Sequence, residues 1–294
     1  MTKTRDINVL ITGMGPYPDG RGGRINPNTS HVVTTVLPKT LEPNTPRNPS
    51  AARIHITTLP EPVKTEYGHV RAFCRDLHAR HAAADDDVDL FIHLGEARGW
   101  TWVTVERAAY GQGMSSSWWA LWDRDAYYTI PDDAGQTIRD VGPSPWAGRV
   151  PLGLHPSFNV DGVCEGATAL LDTLYRFGSG GSSSSRPGNV DAGNASDTFS
   201  SSSSHVQGMD NGKTVSTTNK PIEIRPHAEG GPYLCGFINY ESLANRYVLN
   251  LKPNVLFCHV PGESDPTSLR RTADGLLAIV VAAVAQLQRT TTRE

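Results

Sequence analysis

The sequence has no block of lysine or arginine, and its charge is close to balanced: 27 basic and 30 acidic side chains give a formal net charge of -3. This balance argues against nucleic acid as the main partner, because phosphate backbones are bound by stripes of basic side chains. Long apolar runs are also missing. The most apolar segment, residues 276–285, is well below the roughly 18 residues that span a bilayer, and residues 1–11 contain no apolar stretch of secretory-signal length. We therefore expect a cytoplasmic protein that contacts no membrane.

Cysteine is scarce, and its spacing matches neither a disulfide framework nor a C-x-x-C metal motif. The cysteines are Cys74, Cys164, Cys235 and Cys258. Reduced thiols are the simplest interpretation. Cys74, His78 and His81 share one face of a predicted helix, which makes a metal site conceivable, but nothing else supplies ligands at metal-binding spacing. A solvated helix face is the favoured interpretation, and no metal or other cofactor is expected.

Short apolar runs alternate with helical patterns, which is typical of a parallel sheet wrapped by helices. The predicted strands cover residues 7–13, 54–60, 88–95, 102–107, 222–224 and 255–261, and the predicted helices include residues 30–37, 63–84 and 276–285. The sequence thus predicts the α/β class: a single domain over residues 1–294, with a mainly parallel twisted sheet and helices on both faces in three α/β/α layers. Residues 178–220 are rich in serine, glycine and asparagine, and we predict a disordered low-complexity insertion there.

Three side chains are candidates for nucleophilic catalysis. Cys235 follows a Gly-Gly-Pro turn that opens a helix, where backbone N–H groups favour a thiolate. His259 stands near the end of a short apolar strand, so the two residues fit a nucleophile and its base, although such a pair can also be incidental. Glu106 ends an extended run. It is either an edge carboxylate near Arg107 or the third group that orients a histidine.

A loop follows the first predicted strand and continues to residue 27. Its Gly-Met-Gly start fails the dinucleotide-binding fingerprint, because Pro16 and Pro18 stand where a helix should begin. The loop is either a plain connection or part of a small pocket. In the second case Met14, Tyr17 and Asn26 would line a site at the carboxyl edge of the sheet, where open α/β folds bind ligands.

Four segments taken together resemble the pyroglutamyl peptidase I family of cysteine peptidases. They are residues 9–17 with 26–27, residues 93–106, residues 231–240 and residues 257–261. The resemblance implies hydrolytic removal of an amino-terminal pyroglutamyl residue from peptide substrates, without a cofactor. It also implies that Cys235 is the nucleophile, His259 the base and Glu106 the orienting acid. Met14 and Tyr17 would be walls of the lactam pocket and Asn26 a supporting polar residue.

The chain departs from the family pattern at several positions. Met14 replaces a typical phenylalanine, Glu96 brings a charge near the site and is a further substrate-binding candidate, and no arginine stands in residues 127–131, where the family often has one for the oxyanion. The tryptophan-rich stretch over residues 111–125 is longer than usual. Two alternatives therefore stay open: the same triad acting on a different amino-terminal acyl group, and an inactive binding homologue. The oligomeric state is also open.

Overall fold

We describe the protein from a computed structural model, which covers residues 5–83, 88–113, 127–178 and 220–291. The predicted insertion at residues 178–220 and the tryptophan-rich stretch at residues 111–125 fall almost entirely outside these ranges. Among the described residues, no helix combines the length and the apolar character that crossing a membrane requires.

The described chain contains strands and helices in alternation. The strands are β1 (Ile7–Gly13), β2 (Tyr17–Pro18), β3 (Arg24–Ile25), β4 (Thr40–Leu41), β5 (Ile54–Thr58), β6 (Leu90–Ala97), β7 (Trp102–Tyr110), β8 (Gly153–Leu154), β9 (Glu223–Glu229) and β10 (Val255–Pro261). The helices are α1 (Thr29–Thr34), α2 (Tyr67–Ala83), α3 (Ile138–Val141), α4 (Val160–Gly178), α5 (Leu234–Val248) and α6 (Pro266–Thr291).

The main sheet has the strand order β10-β6-β1-β5-β4. Neighbouring strands of this sheet pair in parallel, except that β4 runs antiparallel to β5 at the edge. A second group has the order β8-β7-β9, with β7 parallel to β9, and β7 also lies beside β10. The carboxyl ends of β6 and β10 therefore meet at one edge, as expected for open α/β folds.

Successive side chains of each strand point to opposite faces of the sheet. Val9 and Ile11 belong to one apolar core, which also contains side chains of α1, α4 and α6. Leu10 belongs to a core on the other face, which contains side chains of α2 and α5. The predicted three-layer α/β/α architecture with a mainly parallel sheet is confirmed.

Several boundaries differ from the sequence prediction. Strand β6 does not end at Gly95 but continues to Ala97, because Glu96 and Ala97 pair with the last residues of β10. The loop over residues 13–27 contains the two-residue strands β2 and β3, which pair as a small hairpin. Helix α6 begins ten residues before the apolar segment 276–285. Its first turns are only partly buried, so they lack the apolar run that made the rest of the helix predictable.

The predicted solvated face of α2 is wrong, because Cys74 and His78 are fully buried against α5. His78 Nε2 lies 2.6 Å from the Ser242 hydroxyl oxygen, and His93 Nε2 lies 2.9 Å from the same atom. The His93 Nδ1 atom is 2.8 Å from Thr12 Oγ1. These side chains form a buried hydrogen-bonded chain between the sheet and α5, and no group of three or more potential ligands among the described residues is arranged to hold a metal ion.

Mild acid is expected to destabilise the fold through this buried chain. Burial lowers the pKa of His93 from 6.5 to about 3, so the unfolded chain binds a proton at this residue before the folded one does. The stabilising contribution of neutral His93 is present above pH 6.5 and is lost as the pH falls from 6.5 towards 3. By pH 5 the loss of free energy of unfolding is about 2 kcal/mol. Urea denaturation at several pH values measures this loss.

The His93→Asn variant is the control for that titration. We expect it to be less stable at every pH, because it weakens the contacts to Thr12 and Ser242, but to lose less free energy of unfolding between pH 7 and pH 5. A pH dependence equal to that of the wild type would contradict the assignment to His93.

Candidate active site

Strand β10 delivers His259 to the face of the sheet that α5 covers. Alternation places Cys258 in the core on the opposite face, with α4 and α6. His259 pairs with Gly95 of β6 in the parallel register and is 8% exposed. The end of the strand thus holds an imidazole at the carboxyl edge of the sheet while its neighbours anchor the strand in two cores.

Cys235 lies in the first turn of α5. The preceding turn contains Gly231 with a φ of 82°, a left-handed value that favours glycine. The N–H of Gly231 donates to the Glu229 carboxylate over 2.6 Å, and the N–H of Tyr128 donates to the Pro232 carbonyl over 2.9 Å. These contacts fix the turn, and Cys235 is half-buried at its end.

Gly95 lies beneath both reactive side chains. A Cβ at this position would lie 2.7 Å from Cys235 Sγ, 2.7 Å from Phe257 Cζ and 3.4 Å from His259 Cδ2. The absence of a side chain at Gly95 therefore lets the sulfur and the imidazole approach the strand and each other. The Cys235 sulfur and the His259 ring thus lie side by side above the same glycine, close enough for the sulfur to raise the pKa of the imidazole.

Glu106 completes the group from β7. Its side chain is fully buried, and its Oε1 atom lies 2.8 Å from His259 Nδ1 and accepts from Thr104 Oγ1 over 2.8 Å. The structure thus brings Cys235, His259 and Glu106 together, although Glu106 and Cys235 lie far apart in the sequence. The alternative of an edge carboxylate near Arg107 does not hold, since Arg107 pairs with Asp161 at the surface.

The charges of the group support one another. Burial alone would lower the pKa of the His259 imidazole, but the Cys235 sulfur and the Glu106 carboxylate more than offset this effect and raise the pKa to about 10. Burial opposes ionisation of Glu106 too, yet its hydrogen bond to His259 lowers the pKa of the carboxyl group. The arrangement therefore favours an imidazolium held between a sulfur and a carboxylate.

The other thiols are unsuited to nucleophilic chemistry. Burial raises the pKa of Cys164 to about 12 and raises the pKa values of Cys74 and Cys258 well above the ordinary value. The reactive form of cysteine is the thiolate. Of the four cysteines, Cys235 is the one that combines partial exposure with a histidine partner.

His227 and Trp100 belong to the same group, and the sequence analysis missed both. His227 Nδ1 lies 2.6 Å from Glu106 Oε2, and the Trp100 ring packs edge-on against the imidazoles of His227 and His259 at centroid distances of 5.3 and 5.6 Å. The sequence signal is weak, because His227 meets Glu106 only through the parallel register of β7 and β9. His227 and Glu106 are 121 positions apart, so the local sequence does not predict that their strands pair.

The predicted pocket residues lie in different environments. Tyr17 donates its hydroxyl to Glu96 Oε1 over 3.2 Å, and Glu96 Oε2 accepts the N–H of Thr29 at the start of α1 over 2.6 Å. Met14 is fully buried in the apolar cluster against which Cys235 packs. Asn26 is exposed. Tyr17 with Glu96 and the Met14 cluster are thus candidate sides of a pocket.

Aromatic side chains occupy the segment where the resemblance implies an arginine. Tyr127 and Tyr128 are buried in the Met14 cluster, and the Tyr128 ring packs edge-on against Phe237 of α5 at a centroid distance of 4.9 Å. This segment therefore supports the turn before Cys235. Arg124, the nearby arginine of the sequence, lies outside the described residues.

Gly95→Ala is expected to separate the sulfur from the imidazole. The added methyl group must displace Cys235, Phe257 or β6, and such overpacking typically costs 1–3 kcal/mol. We expect alkylation of Cys235 by iodoacetamide at neutral pH to slow roughly tenfold, because a displaced sulfur loses the support of His259. The matched control is Gly68→Ala on α2, where the nearest atoms to an added Cβ are 3.9 Å away. An unchanged alkylation rate in Gly95→Ala would contradict the close approach.

The protein shares its α/β fold with solved structures. The structures that it matches include pyrrolidone carboxyl peptidases. A mutant enzyme from the hyperthermophile Pyrococcus furiosus is 15% identical, with a TM-score of 0.54 over 96% of this chain and 100% of that one. The enzyme from Thermococcus litoralis is 14% identical, with a TM-score of 0.56 over 97% of this chain and 96% of that one. No family model matches the chain, and no curated protein matches it in sequence. At these identities the likeness establishes the fold.

Proposed function

We propose that the protein is a cysteine peptidase that removes an amino-terminal pyroglutamyl residue from peptides. The observation that carries the proposal is the position of His259, which lies beside the Cys235 sulfur above Gly95 and contacts the Glu106 carboxylate through its other ring nitrogen. A thiol activated by an oriented imidazole is the arrangement used for acyl transfer by cysteine peptidases. The fold shared with pyrrolidone carboxyl peptidases supports the same reading, because pyrrolidone carboxyl and pyroglutamyl name the same acyl group.

In the proposed reaction the Cys235 thiolate attacks the carbonyl carbon of the pyroglutamyl residue. The carbonyl oxygen becomes an oxyanion, which we expect backbone N–H groups at the start of α5 to bind. The His259 imidazolium then gives its Nε2 proton to the departing amine, and the C–N bond breaks to leave a thioester. His259 next takes a proton from water, the hydroxide attacks the thioester, and pyroglutamate leaves as the thiolate reforms.

Glu106 keeps His259 in the form that this sequence needs. Its Oε1 accepts from Nδ1, so Nε2 faces the sulfur and the substrate. The charge of the carboxylate stabilises the imidazolium through the acylation step. The proton moves within a largely buried group, where these electrostatic contributions are larger than in water.

We propose that the lactam ring binds beside Met14 and Tyr17, with Glu96 and Asn26 as polar neighbours. Pyroglutamate has no terminal ammonium, so apolar walls with one or two hydrogen-bonding groups suit it. The Met14 cluster offers such a wall next to Cys235. Asn26, being exposed, would contact the substrate only at the mouth of the pocket.

The hydrogen-bonded pair of half-buried Tyr17 and buried Glu96 favours a second candidate, the same triad acting on another amino-terminal acyl group. A carboxylate that is 9% exposed at the pocket edge could select an acyl group with an extra donor or a positive charge. The Glu96 oxygens already accept from Thr29 and Tyr17, and this occupation makes the neutral lactam the first choice.

The test is hydrolysis of a panel of aminomethylcoumarin amides by the purified wild-type protein. We expect release from the pyroglutamyl amide and little or none from prolyl, glutamyl and acetyl-alanyl amides. Preference for another blocked amide would replace the first candidate by the second. If no amide is cleaved and a pyroglutamyl chloromethyl ketone leaves Cys235 unmodified, the protein is an inactive binding homologue and the peptidase proposal fails.

A further inference from the structure

Glu106 is shared by two histidines on its two oxygens. Oε1 accepts from Thr104 and from His259, both over 2.8 Å, whereas Oε2 lies 2.6 Å from Nδ1 of His227. The carboxylate is fully buried, and each of these contacts compensates part of the cost of taking its charge out of water. The mechanism proposed above uses the His259 contact alone and leaves His227 unexplained.

The contacts of His227 define its hydrogen. Its Nδ1 lies 2.6 Å from Glu106 Oε2 and 3.0 Å from the Glu229 carbonyl oxygen, and both of these atoms can only accept. Nδ1 therefore carries a hydrogen whether the ring is neutral or charged. The side chain is 43% exposed, so this contact with the buried Glu106 carboxylate is made at the border between the protein interior and the solvent.

We propose that His227 is a positioning residue, which donates its Nδ1–H to Glu106 and thereby keeps that carboxylate ionised and aimed at His259. The inference rests on the triad of the proposed function, and it does not depend on which acyl group is cleaved. Trp100 packs edge-on against both imidazoles and so fixes the planes of the two rings on either side of the carboxylate.

Of the described groups around Glu106, His227 is the donor that can be replaced without changing the catalytic histidine. Thr104 is on its own strand, His259 and Cys258 come from β10, and Cys164 comes from α4. Both thiols are kept protonated by burial, which raises their pKa values. On β9, the Glu229 carboxylate is engaged by the N–H of Gly231, and Arg225 pairs with Glu223. His227 is thus the residue of β9 that donates a hydrogen bond to Glu106 Oε2.

The test compares two variants of nearly equal shape. His227→Leu removes the donor, whereas His227→Asn keeps an N–H close to the position of Nδ1 without a titratable ring. Removal of a donor to a carboxylate raises the pKa of that carboxyl group, because the donor stabilises the ionised form. We expect the acid limb of the pH profile of kcat/KM to move to higher pH by about one unit in His227→Leu. In His227→Asn it should return most of the way to its wild-type position. A roughly tenfold lower kcat should accompany the leucine variant.

Two readouts separate this inference from the proposed function. The first is the pH profile of kcat/KM on the pyroglutamyl amide, and the second is the pH profile of Cys235 alkylation by iodoacetamide, which needs no substrate. If the amide is not cleaved but the alkylation profile shifts in His227→Leu and recovers in His227→Asn, the positioning role stands and the substrate assignment fails. If the alkylation profile of His227→Leu superimposes on that of the wild type, the inference is overturned.

Equal shifts in the leucine and asparagine variants would also overturn it, because they would show that the N–H donor is not what matters. Should His227→Leu fail to fold, His227→Ala takes its place, since the side chain is half-exposed and truncation leaves no closed cavity. His55→Asn is the matched control: His55 on β5 makes a 2.9 Å contact with the Asp6 carboxylate, and we expect its loss to leave both profiles unchanged.

Discussion

Cys235→Ala is expected to lower kcat/KM for a pyroglutamyl amide by at least roughly 10³-fold, to the limit of detection. The reason is that the variant has no atom that can form the thioester, and His259 cannot activate water in the place where the sulfur stood. The half-buried position of Cys235 at the start of α5 makes the truncation mild. We therefore expect an unchanged circular dichroism spectrum and a melting temperature within a few degrees of that of the wild type.

Cys74→Ala is the matched control for this experiment. Cys74 is fully buried against α5, where its sulfur donates to the Ile238 carbonyl over 3.8 Å. Its removal should cost about 1 kcal/mol of stability and leave kcat/KM within about threefold of the wild type. Substantial amide cleavage by Cys235→Ala would exclude Cys235 as the nucleophile and with it the proposed mechanism.

The layers of the fold could be predicted because apolar runs and helical patterns carry them. Five of the parallel strands coincide with short apolar or extended runs, such as residues 255–261, whose residues are all buried. The elements that were missed are too short to have a period: β2, β3, β4 and β8 contain two residues each, and α3 contains four. A pattern of two residues cannot be told from a loop, so only pairing partners reveal such strands.

The solvated face predicted for α2 failed for a different reason. Histidine is intermediate between the mostly buried and the mostly exposed residue types, so its burial depends on its partners, and the sequence around His78 does not contain the partner that buries it. That partner, Ser242 on α5, lies 164 residues further along the chain and also binds His93 of β6. Burial of a polar side chain is decided by such distant partners, which local composition does not show.

The candidate site shows the same division. Cys235 and His259 carry local signals, a turn that opens a helix and a strand end, and Glu106 follows from the resemblance. His227 carries none, because its role depends on standing opposite Glu106 in the β7 and β9 register. Gly95 looks like the end of a strand in the sequence. Only the packing of Cys235 and Phe257 above it explains why a side chain is excluded there.

Glu106→Gln is expected to lower kcat/KM by roughly 10³- to 10⁴-fold, the size of effect seen when an orienting carboxylate becomes an amide. Three donors converge on Glu106, from Thr104, His259 and His227. A glutamine offers one oxygen and one NH₂ group, so at least one donor must face another donor in a buried place. If the NH₂ group faces His259, the ring turns or changes its tautomer. If it faces His227, the oxygen still accepts from His259. In both cases the negative charge that stabilises the imidazolium is lost, and with it the readiness of Nε2 to give a proton to the leaving amine.

The pH dependence of this variant distinguishes lost charge from general damage. In the wild type the pKa of His259 is raised to about 10, with contributions from both Cys235 and Glu106. The imidazolium should therefore persist through neutral pH and be lost as the pH approaches 10. Without the carboxylate the pKa of His259 falls, so the alkaline limb of kcat/KM moves to lower pH. Glu223→Gln, which removes an exposed carboxylate paired with Arg225 on β9, is the control and should keep the wild-type profile. An alkaline limb in Glu106→Gln that coincides with that of the wild type would mean that Glu106 does not act on His259.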